Sequence, residues 1–215
     1  MNLQTLAVEC VEPALFEGMA EAGSQLTTLS VQTVNLSSST SHGITSLGYT
    51  LCCLHIHATT CDIAPLSSLK QLTDLVIAPY FEHVMGDGDV RGVSEAVAGM
   101  QKLQYLHLPR GPSEAVLAVL PTILETIRFD SASVLDVVRI ASRAGLPALQ
   151  SIEAIELHFD AVKDMSDAQR VGAVLSSRWQ PGLPCGAVCF EHAREVPCLD
   201  AVLHICSCVP KCVRY

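Results

Sequence analysis

Six cysteines crowd the last 31 residues of this 215-residue chain, at Cys185, Cys189, Cys198, Cys206, Cys208 and Cys212, with His192 and His204 among them. Thiolate and imidazole are the ligands of a structural zinc site, yet the spacing contains no C-x-x-C knuckle of the kind short metal loops use. The segment from about residue 185 to 215 therefore reads first as a thiol-rich end cap. Metal binding or thiol chemistry there is the alternative. The other four cysteines, Cys10, Cys52, Cys53 and Cys61, read as small reduced hydrophobes in or beside strands. Gly43 to Thr50, GITSLGYT, imitates a phosphate-binding loop but places Tyr49 where a lysine must neutralise phosphate. Asp87-Gly88-Asp89 is too short an array for a calcium loop. The chain has no G-x-S-x-G elbow, no H-E-x-x-H and no G-x-G-x-x-G between strand and helix. No cofactor, catalytic group or resident metal is expected, and the chain reads as a non-enzyme.

The elements that must carry these residues are set by a recurring phrase. An apolar residue at the first, fourth and sixth positions appears seven times: Leu3, Leu6, Val8; Leu26, Leu29, Val31; Leu51, Leu54, Ile56; Leu72, Leu75, Ile77; Leu103, Leu106, Leu108; Leu124, Ile127, Phe129; and Ile152, Ile155, Leu157. Successive starts are 23, 25, 21, 31, 21 and 28 residues apart. A weaker eighth phrase opens at Cys185, with Val188 and Phe190. The fourth and sixth residues point to one side of a strand, so each phrase predicts a strand with one buried face.

Between the phrases lie stretches with helical spacing: Ala14, Leu15, Met19 and Ala22; Val93, Ala96, Val97 and Met100; Val116, Leu117 and Leu120; Val134, Val137, Val138 and Ala141; Val171, Val174 and Leu175. They predict short amphipathic helices on the buried face of a parallel sheet. Pro13, Pro112 and Pro121 punctuate helix ends, Gly23 and Gly145 suit helix exits, and Ser131 or Ser133 supplies a cap. Ser37 to Ser41 predicts a polar loop instead of a helix, and Met85 to Asp89 a loop insertion.

Over residues 3 to about 191 the chain resembles the leucine-rich-repeat family, whose pattern is L-x-x-L-x-L-x-x-N/C-x-L at periods of 20 to 29 residues. The ninth positions depart from it: Val11, Val34, Thr59, Tyr80, Gly111, Ala132 and Asp160 replace Asn or Cys. The resemblance implies one α/β solenoid domain over residues 1–215, of seven to eight repeats, with parallel strands on a concave face and short helices on the convex face. Without the Asn ladder its turns should be irregular.

In such a stack the third, fifth and seventh residues of each phrase form columns on the open face. Those residues give the expected partner-binding site: His55, His57, Asp74, Tyr105, His107, Arg128, Asp130, Glu156 and His158. Neighbouring strands are about 4.8 Å apart, so Arg128 is expected to meet Glu156, and Asp130 to meet His158. The resemblance implies a protein or peptide partner on that face. Irregular repeats of this type often follow an F-box in substrate receptors of ubiquitin ligases. None precedes Leu3, so that role would require a fragment or another route of recruitment.

Composition limits the alternatives. A hydrophobic content of 49% with 16% charged residues predicts a compact soluble fold. The net charge is −9, from 13 Lys and Arg against 22 Asp and Glu, which leaves no basic stripe for nucleic acid. The most apolar run, Ala115 to Leu124, is too short for a membrane span and contains Pro121, and residues 1–5 open no secretory signal. A cytoplasmic protein is expected. Only two residues precede Leu3, so the first strand is expected to be covered by a further N-terminal element, by a partner, or by edge-to-edge association.

Overall fold

A computed structural model describes residues 3–9, 12–78, 90–143, 145–158 and 187–193. The side chains of residues 90, 134, 156–158 and 187–193 are not described. The Cys-rich end apart from the backbone of 187–193, the 85–89 insertion and the stretch from Val171 to Leu175 lie outside these residues.

Among the described residues nine strands make a single sheet: β1 (Thr5–Glu9), β2 (Thr28–Leu36), β3 (Cys53–Asp62), β4 (Asp74–Ala78), β5 (Val90–Arg91), β6 (Tyr105–Arg110), β7 (Thr126–Ser133), β8 (Ser151–His158) and β9 (Ala187–Ala193). The order across it is the chain order, β1-β2-β3-β4-β6-β7-β8-β9, with the short β5 paired to the end of β3. All pairings are parallel. Between strands run α1 (Pro13–Glu21), α2 (Ser38–Thr45), a 3-10 helix (Ala64–Ser68), α3 (Val93–Gly99), α4 (Glu114–Val119) and α5 (Val134–Ala141).

The alternation that predicts the strands also decides the layers. Leu29, Val31, Leu54, Ile56, Leu75, Ile77, Leu106, Ile127 and Phe129 are fully buried, and they form one core with Phe16, Ile44, Ala96, Val97, Val116, Leu117, Val137 and Ile140 of the helices. The helices therefore cover one face of the sheet. Among the described residues no helix is long and apolar enough to cross a membrane.

A backbone ladder just ahead of the strands locks the register. The amides of Thr27, Cys52, Thr73, Gln104, Glu125 and Gln150 donate to the carbonyls of Gln4, Thr27, Cys52, Thr73, Gln104 and Glu125 at 2.7–2.9 Å. Each donor is the second residue of its phrase, so Gln150 places the start of the seventh phrase at Leu149, not at Ile152. Ile127 pairs with Ile152 and Phe129 with Ala154. Ile152 and Ala154 are buried, whereas Ile155 stands half-buried on the opposite face. Two frames satisfy the apolar pattern here. The observed one sets a small Ala154 beside the large Phe129, which conserves core volume across the step. The eighth phrase lies on β9 with Val188 opposite Ile152 and Phe190 opposite Ala154, in register with the Leu149 frame and not opposite Ile155 and Leu157 as a start at Ile152 would place them.

Two further expectations are corrected. Ser37 to Ser41 is not a loop: the Ser37 hydroxyl caps α2 by accepting from the Thr40 amide, and buried Ser41 donates to the Asp62 carbonyl at 2.6 Å. Satisfied hydroxyls allow a polar sequence to form a buried helix. In α1 the core residue is Phe16, with Met19 and Ala20 beside it, while Leu15 is exposed. Other boundary residues act as predicted. Pro13 opens α1, Gly23 follows it at φ 68°, and Ser133 caps α5 in a reciprocal box with Asp136. The helical layer is close-packed: a Cβ added at Gly99 would lie 1.9 Å from the Ser67 carbonyl oxygen.

Candidate functional site

Three columns of side chains stand on the face of the sheet opposite the helices. In the described strands β2 to β8 they read Thr28, Cys53, Asp74, Tyr105, Thr126 and Ser151; then Ser30, His55, Val76, His107, Arg128 and Glu153; then Gln32, His57, Ala78, Pro109, Asp130 and Ile155. Every one is half-buried, flanked by its lateral neighbours yet uncovered by any described helix. Parallel strands leave such a face only where the connecting helices all lie on the other side.

Seven of the nine residues expected at the site, His55, His57, Asp74, Tyr105, His107, Arg128 and Asp130, stand together here. Glu156 and His158 do not take their expected places: they lie opposite Ser131 and Ser133. The shifted frame of β8 brings Glu153 beside Arg128 instead. Arg128 Nη1 donates to Glu153 Oε2 at 3.2 Å, and Ser151 Oγ donates to Glu153 Oε1 at 3.1 Å. Asp130 is met by His107, whose Nε2–H donates to Oδ1 at 2.8 Å. The other Asp130 oxygen is shielded from solvent and has no hydrogen-bond partner among the described residues. The contact between His107 and Asp130 is diagonal, one strand over and one column along, a reach that a directly opposed reading of the columns omits.

At the other margin Asp74 Oδ2 accepts from the Thr73 hydroxyl at 2.5 Å and from Cys53 Sγ at 3.7 Å. Burial pushes the Cys53 thiol above its ordinary value, and the Asp74 carboxylate adds to the rise. Such a thiol is a poor nucleophile near neutral pH. Burial also pushes the Tyr105 phenol up; Arg128 opposes this, while Glu153, Asp74 and Asp130 reinforce it. Tyr105 thus sits in the field of three carboxylates and one guanidinium. His57 is pushed below its ordinary 6.5 by burial, then by His55 and His107, with Asp130 pulling the other way.

The arrangement offers hydrogen-bonding, aromatic and charged groups on a broad surface. Among the described residues no three His, Cys, Asp or Glu side chains converge in a way that could hold a metal ion. Glu153, Ser151 and Thr73 are the residues that sequence reasoning missed. For the first two the signal was present in Leu149-x-x-Ile152-x-Ala154, the alternative frame. No protein-family model matches the chain, and none of the curated proteins matches its sequence.

Proposed function

We propose that the chain is an irregular leucine-rich-repeat solenoid that serves, without catalysis, as a binding module for a protein or peptide seated on the open face of its sheet. The observation that carries this reading is the face itself. Parallel strands present half-buried His55, His57, Tyr105, His107 and Arg128 with no described element over them. Aromatic and Arg side chains that are already partly ordered lose little further entropy when a partner covers them, and they are enriched where binding energy concentrates. The recurring phrase and the sequential strand order support the solenoid part of the reading.

The test is to pan a random displayed peptide library against the protein and compare binders on two variants. His107→Ala/Arg128→Ala/Glu153→Ala should lose them, while Glu17→Ala on the exposed side of α1 should keep them. Thermal unfolding verifies that both variants remain folded. Binders indifferent to the triple change would sink the assignment of the face.

A further inference from the structure

The open-face positions of β4, β6, β7 and β8 carry three carboxylates, Asp74, Asp130 and Glu153, against one guanidinium, Arg128, histidines apart. Arg128 is already paired with Glu153 at 3.2 Å. The patch is therefore locally acidic in a chain of net charge −9. Tyr105 stands within it and offers a half-buried aromatic ring to a cation. Carboxylates on either side of an aromatic ring match an ammonium or guanidinium group, and they repel an acidic ligand.

The spacing of the carboxylates defines the ligand further. Asp74 on β4 and Glu153 on β8 are three strand steps apart, through β6 and β7. At roughly 4.8 Å per step, and with Glu153 two residues further along its strand than Asp74, the separation is about 16 Å; residues i and i+4 of an extended peptide rising ~3.3 Å per residue are about 13 Å apart, and the long Lys or Arg side chains reach across the rest. Residues i and i+4 of an extended chain project to the same side.

We propose that this face takes an extended basic peptide segment crossing the strands, with two Lys or Arg side chains about four residues apart that straddle Tyr105 and meet Asp74 and Glu153. The proposal rests on the open face being the binding face and adds the chemistry of its ligand. The Arg128–Glu153 pair opens in part, Glu153 being shared between Arg128 and the incoming cation.

The experiment is fluorescence anisotropy with a labelled Gly/Ser peptide carrying Lys at i and i+4 and with its Glu counterpart, alongside the charge of the peptides recovered by panning. The Lys peptide should bind, weaken as salt rises, and lose at least about tenfold in affinity on Asp74→Asn/Glu153→Gln. Tyr105→Ala should weaken it and Tyr105→Phe should retain it, since the ring and not the hydroxyl meets the cation. Asp74→Glu/Glu153→Asp keeps the charges and should retain binding, which separates lost charge from lost fold. Face-dependent binders that prove acidic or apolar would overturn the basic-peptide proposal and leave the binding face standing. No face-dependent binder of any kind would overturn both.

Discussion

At the scale of single residues, the open face is governed by what each side chain's lateral neighbours do to it. His57 is the clearest case. It shares β3 with His55, stands opposite Gln32 of β2 and Ala78 of β4, and lies in the field of His107 on β6 and Asp130 on β7. Burial and the two imidazoles lower its proton affinity below that of the unfolded chain, and the Asp130 carboxylate does not reverse the effect. Between the ordinary value of 6.5 and the lowered folded value, the unfolded state binds more protons, so stability rises with pH across that window. The contribution is intact above pH 6.5 and is lost as pH falls through the folded value. Wild type should therefore lose more of its thermal midpoint between neutral and mildly acidic pH than His57→Gln. Equal losses would remove His57 from the account. The residue types at this site were legible in the sequence, but the partners were not. Arg128 meets Glu153 and Asp130 meets His107 because side chains reach diagonally and because β8 is framed by backbone bonds that residue types do not encode.

At the scale of elements, short helices survive here through capping and stacking. α5 has only eight residues, too few to be stable alone. The Ser133 hydroxyl accepts from the Asp136 amide, and the Asp136 carboxylate accepts from the Ser133 amide at 3.0 Å and its hydroxyl at 2.7 Å. Ser133→Ala removes one half of that exchange and should cost about 1 kcal/mol, read from urea unfolding. Ser133→Asp should restore most of the loss. A cost indistinguishable from zero would mean that tertiary packing alone holds the helix start. The cap was readable from Ser133 and the apolar positions behind it. The helix at α2 was not, because its serines and threonine favour turns locally and only tertiary partners, such as the Asp62 carbonyl for Ser41, reverse that preference.

For the whole molecule, the solenoid reading proposed above implies that stability is shared between neighbouring strand-helix units, each burying its apolar face against the next. An interior unit has neighbours on both sides and an edge unit on one. Leu106 of β6 is fully buried between Leu75 and Ile127, whereas Leu6 of β1 is only partly buried and, among the described residues, pairs only with Leu29. Leu106→Ala should cost roughly 2–5 kcal/mol, and Leu6→Ala well under half as much. Chemical denaturation of both variants provides the comparison. Equal costs would show that the edge is covered as fully as the centre.

By itself the sequence determined where the strands of the recurring phrases lie, which of their residues face the core and which stand on the open face from β1 to β7 (the short β5 apart), and that these strands run parallel with helices between them. Period-two alternation is a local property of a strand, and burying its apolar side is the largest favourable term in folding. Tertiary structure alone decided the frame of β8, the helix at α2 and the pairs across the open face. The frame depended on whether the Gln150 amide could reach the Glu125 carbonyl and whether Ala154 or Leu157 fitted beside Phe129. Those are distances between segments 25 residues apart, and no periodicity within either segment carries them.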